Sequence, residues 1–219
     1  MAHDERAPDR RGPGPDPEAE LLARLRSRDR AAFATLVTRH SGPLLRVATS
    51  LVRDRAVAEE AVQETWLAVL TGLSTFEGRS SFRTWLFQIL VNKARTRVKR
   101  EGRTVPFSAL AEREAADGRP VDADRFDHSG AWREPPSSWT EEDPERLAIG
   151  SETRAAVEAA IRELPEAQRA VITLRDVEGL ETEEICNVLG VTVTNQRVLL
   201  HRARARVRRA LEQRLGGKA

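Results

Sequence analysis

The chain has 219 residues, of which 32% are charged and 5% aromatic, and it contains no tyrosine. This length suits two small domains better than one large core, and the cores must rely on aliphatic helix faces. No segment is long and apolar enough to span a membrane, and the N-terminus lacks the apolar stretch of a secretory signal, so we expect a cytoplasmic protein. The net charge is only +2, but the 36 basic and 34 acidic residues are segregated along the chain.

The N-terminal segment is predicted to be a disordered tail followed by helices. Residues 1–16 are rich in Pro, Gly, Asp and Arg. From Pro17 onward, apolar residues recur at helical spacing and predict one bundle with the next two helices. These apolar positions are Leu21, Leu22, Leu25, Phe33, Leu36, Val37, Leu44, Leu45, Val47 and Ala48.

An amphipathic helix is predicted after Asp54, which is a candidate N-cap. The residues expected on its core face are Ala58, Ala61, Val62, Thr65, Trp66, Val69 and Leu70. The residues expected on its other faces are Glu59, Glu60, Gln63, Glu64 and Leu67. On composition alone, an ordinary solvated acidic surface is the favoured interpretation of these other faces.

A polar loop from Thr75 to Ser81 leads into a helix that becomes strongly basic. Gly78 permits a tight backbone path, and Ser80 or Ser81 can cap the helix. The apolar face of this helix consists of Phe82, Trp85, Leu86, Ile89 and Leu90, and the basic continuation contains Lys93, Arg95, Arg97, Lys99, Arg100 and Arg103. A positive groove beside aromatic residues suits unpaired bases, although the spacing of Trp85 favours a core position for that ring.

The stretch that follows is predicted to be a linker. Between Pro106 and Gly150, eleven acidic and five basic residues give a net charge of −6, prolines recur, and apolar periodicity is weak. Such a segment is expected to be largely disordered alone. Trp132 and Trp139 are unusual in a spacer; docking on a partner and folding back onto a domain are both open for them.

The last quarter of the chain predicts a helix-turn-helix. A helix that starts at Pro165 ends at Gly179, a short helix capped by Thr182 ends at Gly190, and Thr192 or Thr194 caps the final helix. Residues expected to face inward on the final helix are Val198, Leu199, Ala203, Val207 and Leu211, whereas Asn195, Gln196, Arg197, His201 and Arg202 are expected to project elsewhere.

The final helix has the chemistry of a DNA-reading helix. Between Asn195 and Arg214 there are seven arginines and one acid, Glu212. Asn, Gln and Arg pair well with base edges, and the additional arginines suit phosphates. The order of helix, turn and basic helix therefore predicts binding in a DNA groove rather than a merely solvated basic surface.

Both halves of the chain resemble bacterial sigma factors, in particular the small extracytoplasmic-function (ECF) group. The motifs LRDVEGL, EEI and HRARARVRRAL resemble region 4, and the stretch from Leu51 to Arg100 resembles region 2. The resemblance implies an all-α fold with two small helical domains joined by a flexible acidic linker. It divides the chain into a tail (1–16), region 2 (17–103), the linker (104–150), region 4 (151–215) and a short tail (216–219).

The resemblance also assigns roles to residues. It implies that Glu60, Gln63 and Glu64 dock on a basic coiled coil of the polymerase's largest subunit, and the QET motif favours this role over a solvated surface. Melting and binding of the −10 element would fall to Phe76, Gly78, Arg79, Ser80, Ser81, Asn92, Lys93, Arg95 and Arg97. Reading of the −35 element would fall to Asn195, Gln196, Arg197, Val198, His201, Arg202 and Arg204. The Thr194-Asn195 pair replaces a common Gly-Thr pair, so no known −35 sequence can be transferred.

The expected function is that of a sigma factor that brings core RNA polymerase to promoters and helps to open them. The expected partners are core RNA polymerase, promoter DNA and an anti-sigma factor. No cofactor, metal or enzymatic activity is expected, and Cys186 is interpreted as a buried core thiol. The main alternative is a dimeric helix-turn-helix regulator with an N-terminal helical sensor domain, which would leave the Thr75–Ser81 loop without a role. An RNA-binding or nuclease-like helical protein is a weaker third option, because no catalytic residues support it.

Overall fold

The computed structural model describes residues 17–27, 29–52, 54–100, 106–116 and 144–215. These residues form helices with short connections, which confirms the predicted all-α class. None of the helices within these ranges is long and apolar enough to cross a lipid bilayer. The expectations for the tails and for Trp132 and Trp139 lie outside the described residues. The helices are α1 (Pro17–Arg26), α2 (Arg30–Leu51), α3 (Arg55–Gly72), α4 (Phe82–Arg100), α5 (Phe107–Ala116), α6 (Pro144–Arg162), α7 (Glu166–Ile172), α8 (Thr182–Leu189) and α9 (Val193–Leu215).

The chain divides into two compact units, residues 1–41 and 42–219, and the boundary falls within α2. In the first unit, Asp29 connects α1 to α2. Its carboxylate accepts hydrogen bonds from the backbone N–H groups of Ala31 and Ala32, and from Arg24 Nε at 2.9 Å. The Arg24 hydrogen bond and these backbone donors hold the pKa of Asp29 below its ordinary value. The ionised carboxylate therefore satisfies the free N–H groups at the start of α2.

Helix α3 begins as the sequence predicts. Asp54 is its N-cap and accepts a hydrogen bond from the Ala56 N–H at 2.8 Å. Six of the seven residues expected on the core face are buried: Ala58, Ala61, Val62, Thr65, Trp66 and Val69.

The expectation that Leu70 lies in the core is wrong, because 59% of this residue is exposed. Leu70 follows Leu67 by three positions and Gln63 by seven, and this spacing continues the outward face of α3 rather than its core face.

Helix α4 packs against α3 and fixes the loop that precedes it. Ser81 caps α4, because its hydroxyl oxygen accepts a hydrogen bond from the Thr84 N–H at 3.1 Å. Phe76 reaches back from the loop and lies 5.6 Å from Phe82 and 5.1 Å from Trp85, measured between ring centroids. The aromatic cluster of these three rings anchors one end of the loop to the bundle.

Helix α5 lies inside the segment that was predicted to be a disordered linker. Phe107 and Ala111 are buried, and α5 packs against α7 and α9. The Glu114 carboxylate accepts hydrogen bonds from the N–H groups of Ala167 and Gln168 at 3.2 and 3.1 Å, so it caps the start of α7. Burial raises the pKa of Glu114, although these two hydrogen bonds oppose the rise. Helix α6 also begins inside the predicted linker, at Pro144. The acidic composition, averaged over 45 residues, therefore concealed one short helix and the start of a second.

The helix-turn-helix follows the predicted order with one change of cap. After α7, Thr173–Val177 form a π-helical turn, which ends just before Gly179, and α8 ends at Gly190. These two glycines have φ values of +69° and +60°, which favour glycine and end the helical path. Thr192 accepts a hydrogen bond from the Asn195 N–H at 3.2 Å, as expected for the cap of α9. Thr182, however, is the first residue of α8 and not its cap. Glu181 occupies the N-cap position, because its side chain and that of Glu184 form a reciprocal capping box.

The contrast between Leu90 and Leu70 predicts very different costs for the same truncation. Leu90 of α4 is fully buried, so Leu90→Ala is expected to lower the free energy of unfolding by about 2–5 kcal/mol. Leu70→Ala is expected to change it by less than about 0.5 kcal/mol, because Leu70 is exposed. Urea denaturation followed by circular dichroism measures both values, and equal costs would contradict the burial of the two leucines.

Candidate functional site

The outward face of α3 combines acidic, amide and apolar side chains. Glu60 and Gln63 are exposed, and Glu64 is half-buried. Leu67 is 63% exposed and Leu70 is 59% exposed, and both continue the row that starts at Gln63. We call these five residues the α3 face. Leu67 and Leu70 were not among the predicted site residues, although their i, i+4 and i+7 spacing from Gln63 was visible in the sequence.

One arginine of α4 connects two of the predicted sites. Arg97 was predicted to bind the −10 element, and its guanidinium forms ion pairs with both Glu60 and Glu64 of the α3 face. The Arg97 side chain is 25% exposed. The two acidic side chains of the α3 face are thus partly neutralised within the molecule.

The predicted −10 loop presents some residues to solvent and buries one. Gly78, Arg79, Ser80 and Ser81 are exposed, and Gly78 has a φ of +74°, which favours glycine. Arg79 forms an ion pair with Glu77 at 2.7 Å, and both side chains are more than half exposed. Phe76 is buried in the aromatic cluster, so its ring holds the loop and is not on the loop's surface.

The basic part of α4 likewise contains both exposed residues and residues held by contacts within the chain. Asn92 is exposed and Lys93 is partly exposed. Arg95, by contrast, donates a hydrogen bond to the Leu189 carbonyl at 2.5 Å and lies over the Phe107 ring at 5.0 Å. Burial lowers the pKa of Arg95. Among the predicted site residues on α4, Asn92 and Lys93 are therefore the ones without a side-chain contact described above, and Asn92 is the more exposed of the two.

The recognition helix α9 has Arg197 exposed and Asn195 and Val198 partly exposed at its N-terminal end. The expectation that Gln196 projects outward is wrong, because only 1% of this residue is exposed. Gln196 precedes Leu199, Ala203 and Val207 by three, seven and eleven positions, and this spacing places it on the buried stripe of the helix.

Farther along α9, the predicted site residues have partners within the chain. Arg202 donates a hydrogen bond to the Glu114 carbonyl at 2.6 Å. Arg204 forms a bidentate pair with Asp176, with N–O distances of 2.8 and 2.6 Å. Burial, together with the charges of Arg204 and Arg202, lowers the pKa of His201, which keeps this imidazole neutral at pH 7.

Cys186 lies on α8 and is only half-buried, whereas we expected a fully buried thiol. Burial and the nearby Glu183 raise its pKa, so the thiol stays protonated at neutral pH. Over the described ranges, His, Cys, Asp and Glu residues form no group of three or more that could hold a metal ion.

Comparison with known proteins gives two family matches. Residues 36–104 match sigma-70 region 2, and residues 154–207 match sigma-70 region 4. The RNA polymerase sigma-H factor of Pseudomonas aeruginosa is 31% identical over 195 residues, which cover 89% of this chain and 94% of that protein. The ECF RNA polymerase sigma-E factor of Escherichia coli (strain K12) is 33% identical over 184 residues, which cover 84% of this chain and 88% of that protein.

Two solved structures share the fold. CnrH in complex with the cytosolic domain of CnrY aligns with a TM-score of 0.51 and 24% identity, over 93% of this chain and all of that chain. The sigma factor RpoE of Bartonella quintana, in complex with the anti-sigma factor NepR, aligns with a TM-score of 0.53 and 22% identity, over 82% of this chain and 96% of that chain.

The chain belongs to the sigma-70 family, since both family regions are present in the expected order and span the α3 face and the helix-turn-helix. Within that family, its full-length similarity to sigma-E and sigma-H factors places it in the ECF group.

Proposed function

We propose that this chain is a promoter-specificity subunit of RNA polymerase, which binds the core enzyme, directs it to a set of promoters and helps to open them. One observation carries the proposal: a single chain contains both sigma-70 region 2 and sigma-70 region 4, in that order. Transcription takes place on the chromosome, so the site of action is the cytoplasm.

The α3 face docks on the core enzyme. Its carboxylates and the Gln63 amide complement a basic coiled coil, and Leu67 and Leu70 supply apolar area at the centre of the contact. Arg97 screens Glu60 and Glu64 in the free chain, so docking exchanges one basic partner for another. Such an exchange keeps the carboxylates paired and limits the cost of their desolvation.

The loop and the basic helix α4 bind the −10 element. Arg79, Ser80, Asn92 and Lys93 are accessible and can hold the backbone and a flipped base of the unpaired strand. Phe76 contributes indirectly, because it fixes the loop on the aromatic cluster.

The recognition helix α9 reads the −35 element. Asn195 and Arg197, at its N-terminal end, are in the position from which such helices contact base edges. Arg206 and Arg209 are exposed nearer the C-terminus and suit phosphates. Gln196 supports the helix from its buried side. His201, Arg202 and Arg204 can join the interface when they leave their present partners.

The chemistry of RNA synthesis belongs to the polymerase, and this chain contributes binding energy and selectivity. An anti-sigma partner is part of the proposal, because the two solved structures that share the fold are complexes and one of them names an anti-sigma factor. A dimeric regulator is less well supported, because it gives no role to the α3 face or to the exposed loop before α4.

Run-off transcription with core polymerase, the purified chain and genomic fragments tests the function. Promoter-specific transcripts that require the chain are expected. Gln63→Arg combined with Leu67→Asp should abolish these transcripts, because both side chains lie on the α3 face that docks on the core enzyme. Both side chains are exposed, so the double change should leave the fold intact. Arg154→Gln, an exposed change on α6, is the matched control and should retain transcription. Tight duplex binding without any polymerase-dependent transcript would favour the regulator instead.

Substitutions of Arg197 and Arg209, both on α9, distinguish a contact with base edges from a contact with phosphates. Arg197→Ala is expected to cost about 1–3 kcal/mol in promoter binding and to reduce the preference for the cognate −35 sequence. Arg209→Ala should weaken binding to cognate and scrambled duplexes equally, because a phosphate contact carries no sequence information. Competition binding of the holoenzyme to both duplexes distinguishes these results, and an unchanged preference in the Arg197 variant would remove this residue from base reading.

A further inference from the structure

The π-helical turn Thr173–Val177 contains one residue more than an α-helical turn would. The Glu178 N–H donates to the Thr173 carbonyl, five residues back, at 2.9 Å, whereas an α-helix bonds residues four apart. Leu174, inside this turn, is fully buried, so the turn is anchored in the core of region 4. π-helical turns of this kind are rare and are frequently found at functional sites.

Two consecutive side chains of this turn each hold one helix of the helix-turn-helix. Arg175 Nη1 donates to the Leu180 carbonyl and to the carboxylate of Glu181, the N-cap of α8, each at 2.7 Å. The Asp176 carboxylate accepts from Arg204 of α9, from Nε at 2.8 Å and from Nη2 at 2.6 Å. A bidentate pair of this kind fixes an orientation as well as a distance. We call Arg175, Asp176, Glu181 and Arg204 the brace.

The Asp176–Arg204 pair is largely withdrawn from water. The Arg204 side chain is 13% exposed and the Asp176 side chain is 33% exposed. A guanidinium keeps its charge, so a largely buried arginine that lost its carboxylate would be left as an uncompensated charge. Arg204 is therefore poorly suited to leave Asp176 for DNA, in contrast to Arg197, which is exposed.

The position of Arg204 on α9 connects the brace to the reading end of the helix. Arg204 follows Arg197 by seven residues, or two turns, so both lie on the same side of α9, about 10.5 Å apart along its axis. The buried stripe that includes Leu199 and Ala203 holds α9 against region 4, but apolar contacts are non-directional. The bidentate pair adds the directional contact that restrains rotation of α9 about its own axis. Base contacts need this restraint, because they tolerate errors of only about 0.5 Å and 10–20°.

We propose that Asp176 and Arg204 are positioning residues for recognition of the −35 element. The brace sets the rotation of α9, and thereby the direction in which Asn195 and Arg197 project, and it stays intact when DNA binds. Arg175 acts in the same way on α8. This inference rests on the proposed function and refines it, because Arg204 stays with Asp176 and does not join the DNA interface.

Asp176→Asn tests the proposal through the sign of its effect. If Arg204 were a DNA ligand held back by Asp176, the variant would free it and remove an acid near the recognition helix, so cognate DNA would bind more tightly. The brace predicts the opposite. The variant should lose about 10-fold in its preference for the cognate over a scrambled −35 sequence, which is the scale of one base contact. Competition binding of the reconstituted holoenzyme to duplexes from a promoter mapped by run-off transcription measures this preference.

An exchange of the two charges tests whether the pair itself is what matters. Arg204→Asp alone should lose the −35 preference. Asp176→Arg combined with Arg204→Asp restores an ion pair of reversed polarity and should recover most of that preference. An arginine that contacts DNA directly could not be replaced in this way, because the exchange places an acid on the DNA-reading helix.

The matched control is Glu212→Gln. It also removes one acid that pairs with an arginine of α9, but its partner Arg208 lies within the same helix and Glu212 is 56% exposed. This variant should keep the wild-type −35 preference.

Two further measurements distinguish positioning from a general loss of stability. Circular dichroism melting shows whether each variant is folded at the assay temperature, and a merely structural role would lower the melting temperature without changing the preference of the folded protein. Permanganate reactivity at the −10 element under saturating holoenzyme should be that of wild type, because the brace acts on −35 recognition only. Arg175→Gln, which acts through α8, keeps the proposal testable if Asp176→Asn does not fold, since the Arg175 side chain is 30% exposed.

Three outcomes would overturn the proposal: a wild-type −35 preference in folded Asp176→Asn, tighter cognate binding by that variant, or a charge exchange no better than Arg204→Asp alone. Failure of the proposed function is recognised separately, because it would appear in the wild type as the absence of any polymerase-dependent transcript. Failure of the brace would leave wild-type transcription intact.

Discussion

Arginine side chains cannot give up their charge, and this constraint organises the molecule. A guanidinium that is removed from water must meet an acceptor, and the structure supplies a carboxylate for Arg204 and backbone carbonyls for Arg95 and Arg169. Arg46 and Arg83 remain partly exposed, and both pair with the buried Glu178 carboxylate. The same property makes these groups strong ligands for phosphates and base edges. Of these five arginines, Arg95 and Arg204 were also predicted to bind promoter DNA, and each would have to exchange its present acceptor for a phosphate or a base to do so.

The packing of α3 against α4 determines what region 2 can present. Helix α3 packs against α4 and buries small and apolar residues, among them Ala58, Ala61 and Val69. Its acidic and amide side chains and two leucines are left outside. The aromatic cluster at the start of α4 then fixes the loop that carries Gly78 and Arg79. Three of the few aromatic residues, Phe76, Phe82 and Trp85, thus fix the position of the loop before α4.

Features governed by neighbouring residues could be predicted from the sequence. Asp54, Ser81 and Thr192 were recognised as candidate caps, because capping depends on residues within three or four positions. Two predictions of this local kind are wrong. Leu70 lies on the outward face of α3 and not in the core, and Glu181 rather than Thr182 is the N-cap of α8. The helical spacing of Gln196 indicates a buried position, but the ability of an amide to bond base edges favours the opposite prediction, that the side chain projects outward. The pairing of Glu178 with Arg46 could not be predicted, because 132 positions separate the two residues and no local period connects them. Helix α5 was missed because its stability comes from α7 and α9 rather than from its own composition.

The central claim is that this chain works as part of RNA polymerase and not alone. The most direct test is sedimentation velocity of the purified full-length chain with core polymerase freed of other sigma factors. The account predicts a complex with one chain per core enzyme, and no dimer of the free chain. A chain that sediments separately from the polymerase at every ratio, while forming dimers on duplex DNA, would contradict it.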